Sequence, residues 1–193
     1  IIEEEPERLA EVKGISERMA IEIYRQFEEK RDMRNAMMFL QKYNITGNLA
    51  AKIYQEYGQR MYDIIRENPY RLAEDITGVG FRTADEIASR VGIEPNSDYR
   101  IKAGILYILM QASAEGHVYL PEPELMQRAG DLLLCEEDQV RKQVTNLSLE
   151  KKIIVVETGQ ERVIYSAVFY YMELNIARML HELNIKHYYN SEE

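Results

Sequence analysis

The sequence predicts a mainly α protein with a small β component confined to its second half. Three observations predict it. A helical motif recurs across the first half at offsets of 30 and then 34 residues. Apolar residues at helical spacing dominate on both sides of a polar, Pro-containing stretch over 92–97. Two β-rich runs, 152–157 and 162–165, flank Thr158-Gly159-Gln160 and read as a hairpin.

The repeat is the most informative feature. Its copies are GISERMAIEIY from Gly14, NITGNLAAKIY from Asn44 and GVGFRTADEIA from Gly78. Ile15, Ile45 and Val79 fall at one step; Ala20, Ala50 and Ala84 at a second; Ile23, Ile53 and Ile87 at a third. Each copy reads as a tight turn, a polar capping residue and a helix. The small Ala admits a close partner helix, and the Ile three residues later shares its face. A helix over 6–12, 33–43 or 69–75 precedes each turn, so the unit is helix, short hairpin, helix. Gly14 and Gly78 stand where the chain turns sharply and supply a positive φ. Asn44 is the next best residue there, which makes the middle copy the degenerate one.

The elements follow in order. Pro6 opens the first helix. Ser16 caps a second over 16–27. A separate helix from Met33 carries Ala36, Met37, Leu40 and Tyr43 on one face with it. Beyond 97, Ile101, Ile105, Ile108, Leu109 and Ala112 form the face of a helix ending near Glu115-Gly116. A strand over 117–120 is stopped by Pro121, and helices over 122–134 and 136–149 come next, the latter with Val140, Val144 and Leu147 inward and Arg141, Lys142, Gln143 and Asn146 outward. The hairpin is followed by a helix over 171–183 with Met172, Ile176, Met179, Leu180 and Leu183 on one face, then by a loose tail at His187-Tyr188-Tyr189-Asn190. Helix, strand, helix, helix, strand, strand is a winged-helix order. The expected organisation is a tandem helix-hairpin-helix array over 1–97, a small winged-helix-like α+β module over 98–170, and a helix with its tail over 171–193.

Composition narrows the function classes. No apolar run in the 193 residues approaches the roughly 18 needed to cross a bilayer, and the acidic N-terminus is unlike a signal peptide, so no membrane partner is expected. A single cysteine, Cys135, allows no internal disulfide and fits a reducing, cytoplasmic setting. The net charge of -9, from 24 basic and 33 acidic residues, is spread over both halves. Any binding to nucleic acid therefore rests on local geometry and not on the global field.

No catalytic constellation is legible. The chain has no GxxxxGK[ST] loop, no GxGxxG, no HExxH and no zinc spacing. No motif gives His117 an acidic or nucleophilic partner, and it reads as a partly buried strand residue; His181 and His187 lie on or after the last helix and read as surface residues. No nuclease or glycosylase site is recognisable, no catalytic or metal residue is assigned, and no cofactor is expected in this segment.

The hairpins are the better candidates. A glycine turn running into a helix N-terminus presents successive N–H groups, which with the helix dipole suit a phosphate. Arg18 and Arg82 stand four residues after Gly14 and Gly78; Asn48 holds that place in the middle copy. The candidate phosphate-binding residues are Gly14, Ile15, Ser16 and Arg18 in the first copy, and Gly78, Val79, Gly80, Phe81, Arg82 and Thr83 in the third. Such contacts go to the backbone and carry no sequence preference. In the α+β module, the groove-reading place falls on 136–149, with Arg141, Lys142, Lys151 and Lys152 as possible DNA contacts behind an acidic start at Glu136-Glu137-Asp138.

The runs Asn68-Pro69-Tyr70-Arg71-Leu72 and Gly78-Val79-Gly80-Phe81-Arg82-Thr83-Ala84-Asp85 resemble the helix-hairpin-helix region of RecD-like DNA helicases, the exodeoxyribonuclease V alpha-subunit-like proteins with an N-terminal extension. Glu115-Gly116-His117-Val118-Tyr119-Leu120-Pro121 and Glu173-Leu174-Asn175-Ile176-Ala177 share that resemblance. It implies a parent that is an ATP-dependent 5′-to-3′ helicase of DNA repair and recombination, with ATP and Mg held by motor domains that follow this region. The segment itself is then a non-enzymatic accessory, its partners single-stranded or forked DNA and the parent's helicase domains. The alternative is a protein-interaction scaffold that positions those domains.

Overall fold

The computed structural model describes residues 6–159 and 161–190, and the chain divides into two units between Ile93 and Glu94. Residues 1–5 and Gln160 of the expected β-turn lie outside the described residues.

The first unit is helical. A short 3₁₀ helix, Pro6–Glu11, stands where the sequence predicts an α-helix. It is followed by α1 (Glu17–Gln41), α2 (Gly47–Tyr57), a 3₁₀ turn (Gly58–Arg60), α3 (Met61–Glu67), α4 (Arg71–Asp75) and α5 (Phe81–Val91). The helix break expected before Met33 is absent: α1 is continuous over 25 residues. The charged stretch that separates the two apolar faces consists largely of good helix formers. It contains no Gly or Pro, and Arg25–Glu22 and Arg31–Glu28 pair across single turns.

All three turns reach the left-handed region, with φ of 97° at Gly14, 56° at Asn44 and 91° at Gly78. Asn44 thus departs from glycine in sequence but not in conformation. The copies differ instead in what they bury. Ala36, Leu40, Ile45, Ala50 and Ile53 of the second copy share one core cluster with Leu72, Ile76, Val79 and Ile87 of the third, joined by Met61, Ile64 and Ile65 of α3. No described residue of the first copy before α1 reaches Ala36 belongs to it. Ala20 is buried like Ala50 and Ala84, but Ile23 is 36% exposed where Ile53 is fully buried and Ile87 is 3% exposed.

The second unit contains α6 (Asp98–Ala114), β1 (Tyr119–Pro121), α7 (Glu122–Leu133), α8 (Glu137–Leu149), β2 (Ile153–Thr158), β3 (Glu161–Ser166) and α9 (Ala167–Asn190). Ser97 caps α6 by accepting from the Arg100 amide at 3.2 Å. The strands form one antiparallel sheet in the order β1-β3-β2, with Tyr119 and Ile154 both registered on Tyr165. Its core draws Ile101, Ile105 and Ile108 from α6, Leu125 and Leu133 from α7, Val140, Val144 and Leu147 from α8, and Leu120, Ile153 and Ile164 from the strands.

Three expectations change here. Pro121 does not stop the strand before itself: it is the last paired residue, opposite Val163. Gln143 is not outward but 1% exposed, and its amide donates to Asp98 Oδ1 at 2.7 Å. The last helix starts directly after β3 and runs through Asn190, so the expected tail is helical; the side chains of 185–190 lie outside the described residues. The predicted apolar face of α9, Met172 to Leu183, is exposed. No helix among the described residues is long and apolar enough to cross a membrane.

Candidate nucleic-acid interface

The third hairpin is built from local backbone geometry. The Val79 amide donates to the Ile76 carbonyl at 3.0 Å, closing the turn. Gly80 is extended and N-caps α5, and the Ala84 amide donates back to its carbonyl at 3.1 Å. Among the described residues no side chain caps α5, so the Arg82 and Thr83 amides lack the partner a cap residue supplies. Gly78, Gly80, Arg82 and Thr83 are exposed around that helix start. Below it, Tyr70 is buried, stacks on Phe81 with ring centroids 6.0 Å apart, and donates its hydroxyl to Asp85 Oδ1 at 2.7 Å. Tyr70, at the start of α4, therefore ties that helix to the first turn of α5.

The second hairpin has the same construction. Ile45 donates to the Leu40 carbonyl at 3.3 Å, Thr46 is extended, and the Ala50 amide donates to Thr46 at 2.8 Å. Thr46 makes no side-chain cap bond, and Gly47 and Asn48 are exposed. The first hairpin differs. Ser16 Oγ accepts from the Met19 amide at 3.3 Å, so this helix start caps itself.

These positions sort the sequence-predicted residues. Val79 and Phe81 point into the core and Ile15 is half-buried. The Ile15 and Val79 amides are already donated, to Val12 and Ile76. What each hairpin presents outward is Gly14, Ser16 and Arg18 in the first, and Gly78, Gly80, Arg82 and Thr83 in the third. Among the described residues neither Arg18 nor Arg82 has an ion-pair partner, whereas Arg25, Arg31, Arg71 and Arg90 each pair with a carboxylate one turn away.

The second unit presents its cations differently. Arg141 donates to Glu122 Oε1 at 3.1 Å and also to Glu137. Lys142 Nζ lies 3.6 Å from Asp98, and Arg162 donates to Glu122 at 2.9 Å. Lys151 and Lys152 are exposed after α8, Lys151 with φ 59°. The start of α8 carries Glu137 and Asp138 behind a Glu136 capping box. Of the possible contacts named from sequence, Arg141 and Lys142 are committed to carboxylates.

Sequence reasoning missed two cross-copy contacts. Lys52 of α2 donates to the Thr77 carbonyl at 3.4 Å, and Arg90 of α5 donates to the Tyr43 carbonyl at 2.9 Å. Both acceptors immediately precede the left-handed residue of their turn. No local pattern signals such contacts; only knowledge that copies two and three pack together finds them.

Residues 29–119 match the family described as the ATP-dependent RecD2 DNA helicase HHH domain. Over those residues the chain is similar to the helix-hairpin-helix region of RecD-like helicases. The ATP-dependent RecD2 DNA helicase of Deinococcus radiodurans is 26% identical over 122 residues, which cover 63% of this chain and 17% of that relative. The chain thus aligns with about a sixth of that relative's length. The matched region holds the second and third hairpins, and the first hairpin precedes it.

Proposed function

We propose that the chain is a non-catalytic DNA-binding accessory segment of an ATP-dependent 5′-to-3′ helicase in DNA repair and recombination. It holds the phosphate backbone of single-stranded or forked DNA without sequence preference. The observation that carries the reading is the start of α5: an uncapped helix N-terminus behind a positive-φ turn, with Arg82 free of any carboxylate among the described residues. Helix-start amides and an unpaired guanidinium are the groups that capture phosphate. Gly78, Gly80, Arg82 and Thr83 supply this site, and the start of α2 supplies a second of the same form, at Thr46, Gly47 and Asn48. Gly14, Ser16 and Arg18 are a weaker third, because Ser16 already caps its helix. ATP and Mg act in the parent's motor domains, and the setting is cytoplasmic.

In this reading the winged-helix-like α+β module is a structural support and not a groove reader, since the basic residues of α8 are spent on its own carboxylates. That observation also favours a second reading for this unit: a scaffold that positions the helicase domains, its exposed α9 face turned towards them.

The test is anisotropy of labelled single-stranded, duplex and forked DNA with the 193-residue chain at two salt concentrations. The account expects affinity to fall with salt, each phosphate contributing roughly 0.7 to 0.9 to the log–log slope. No binding at low salt overturns it and leaves the scaffold reading.

A further inference from the structure

The eighth residue beyond the turn changes charge between the copies. It is Glu22 in the first, Lys52 in the second and Glu86 in the third. Both glutamates pair along their own helix, Glu22 with Arg25 and Glu86 with Arg90, as a carboxylate one turn from a guanidinium does. Lys52 instead reaches out of its own copy. Its ammonium donates to the Thr77 carbonyl at 3.4 Å, on the residue before Gly78 and its positive-φ turn. The middle copy also carries Asn48 where its sisters carry Arg18 and Arg82. Its cation therefore stands at the turn of the third hairpin and not at its own helix start.

The reverse contact is not equivalent. Arg90 reaches the Tyr43 carbonyl before the second turn, but Glu86 neutralises its charge. Lys52 is exposed, and among the described residues no carboxylate pairs with it. An ammonium has three donors, and the long bond to Thr77 occupies one. Its charge and two donors remain for an anion at the turn, beside the exposed Arg82 at the start of α5. Building on the DNA-binding reading above, we propose that Lys52 is a phosphate contact of the third hairpin. The site is then shared between two copies: the helix-start amides and Arg82 come from the third, and the ammonium from the second. The third hairpin is the dominant site, and the second, with Asn48 and a neutralised Arg90, the weaker. In a chain of net charge -9, pooling two cations at one turn supplies the local field that the whole molecule lacks.

The experiment is anisotropy of labelled single-stranded DNA with the 193-residue chain over a salt series. Wild type, Lys52→Gln, Lys52→Arg and Arg82→Glu are compared, each checked by circular dichroism and thermal melting. Lys52→Gln is expected to weaken binding severalfold and to lower the log–log salt slope by about 1, and Lys52→Arg to keep the wild-type slope. Acetylation of the unsubstituted protein, read by peptide mass spectrometry, is expected to slow at Lys52 on adding DNA and not at Lys30. That measurement covers the case where a variant misfolds, and a Lys52 that DNA does not protect overturns the proposal. A folded Lys52→Gln with wild-type affinity and slope, beside an Arg82→Glu that binds weakly, also overturns it while the DNA-binding reading stands. Weaker binding with an unchanged slope overturns it too, by reducing Lys52 to a prop for the Thr77 carbonyl. A wild-type chain that binds no DNA even at low salt overturns both.

Discussion

The Arg90 guanidinium of α5 donates to the Tyr43 carbonyl at 2.9 Å, bracing the turn of the second hairpin from the helix of the third. Lys52 returns the contact to Thr77, more loosely, at 3.4 Å. Each turn is thus held in part by the other copy. Arg90→Ala is expected to lower stability by about 0.5–1.5 kcal/mol, the usual net value of one hydrogen bond. It is also expected to speed amide exchange at Asn44 and Ile45 more than at Gly78 and Val79. Urea unfolding and residue-resolved hydrogen exchange check this, and equal acceleration at both turns would show that Arg90 acts only through global stability.

Tyr57 gives a pH-dependent prediction. Its hydroxyl donates to Asp75 Oδ2 at 2.8 Å, and burial first, then that bond, hold the phenol well above its ordinary value. A raised folded-state value means that its contribution is complete below the unfolded value of about 10 and is lost as pH rises beyond it. The difference in melting temperature between wild type and Tyr57→Phe is expected to be constant at neutral pH and to shrink above roughly pH 10. A difference that grows with alkaline pH would contradict the assignment.

Gly104 sets how closely α6 meets α7. A Cβ there would stand 2.6 Å from Leu133 Cδ2, and Leu133 is buried. Gly104→Ala is expected to cost about 1–3 kcal/mol by overpacking. Adding Leu133→Ala should then destabilise by less than the sum of the two single changes, because the second change opens the space the first needs. Strict additivity in thermal or denaturant unfolding would place the strain elsewhere.

Glu122 is a buried carboxylate held between Arg141 and Arg162, linking α7, α8 and β3. Glu122→Gln keeps the shape and removes the charge. It is expected to destabilise the α+β module by about 1–3 kcal/mol while leaving DNA affinity unchanged. A gain in affinity would show that freed Arg141 and Arg162 reach phosphate, contrary to the support role given to this module.

Much of this architecture was legible because its signals are local. The turn residues Gly14, Asn44 and Gly78, the inner Ala of each copy and the element order of the second unit all follow from steric and periodic rules acting over a few residues. What was not legible depends on partners distant in sequence. Residues 28–32 are a local exception: they are mostly good helix formers, and a one-turn ion pair helps carry α1 through the expected break. Gln143 looks like a surface residue until Asp98, 45 positions away, supplies its partner. Arg141 looks like a free cation until folding brings Glu122 to it. At the candidate site, the exposed cations Arg18 and Arg82 were identifiable from the repeat; the inward course of Val79 and Phe81 and the self-capping by Ser16 emerge only from the folded geometry.

The most direct measurement of the central claim is the salt dependence of single-stranded and forked DNA binding by Arg82→Glu beside Arg18→Glu, with circular dichroism confirming that both remain folded. The account predicts that Arg82→Glu weakens binding on every sequence and lowers the log–log salt slope by about 1, while Arg18→Glu does less. An Arg82→Glu protein that is folded and binds with wild-type affinity and slope would contradict phosphate capture at the start of α5.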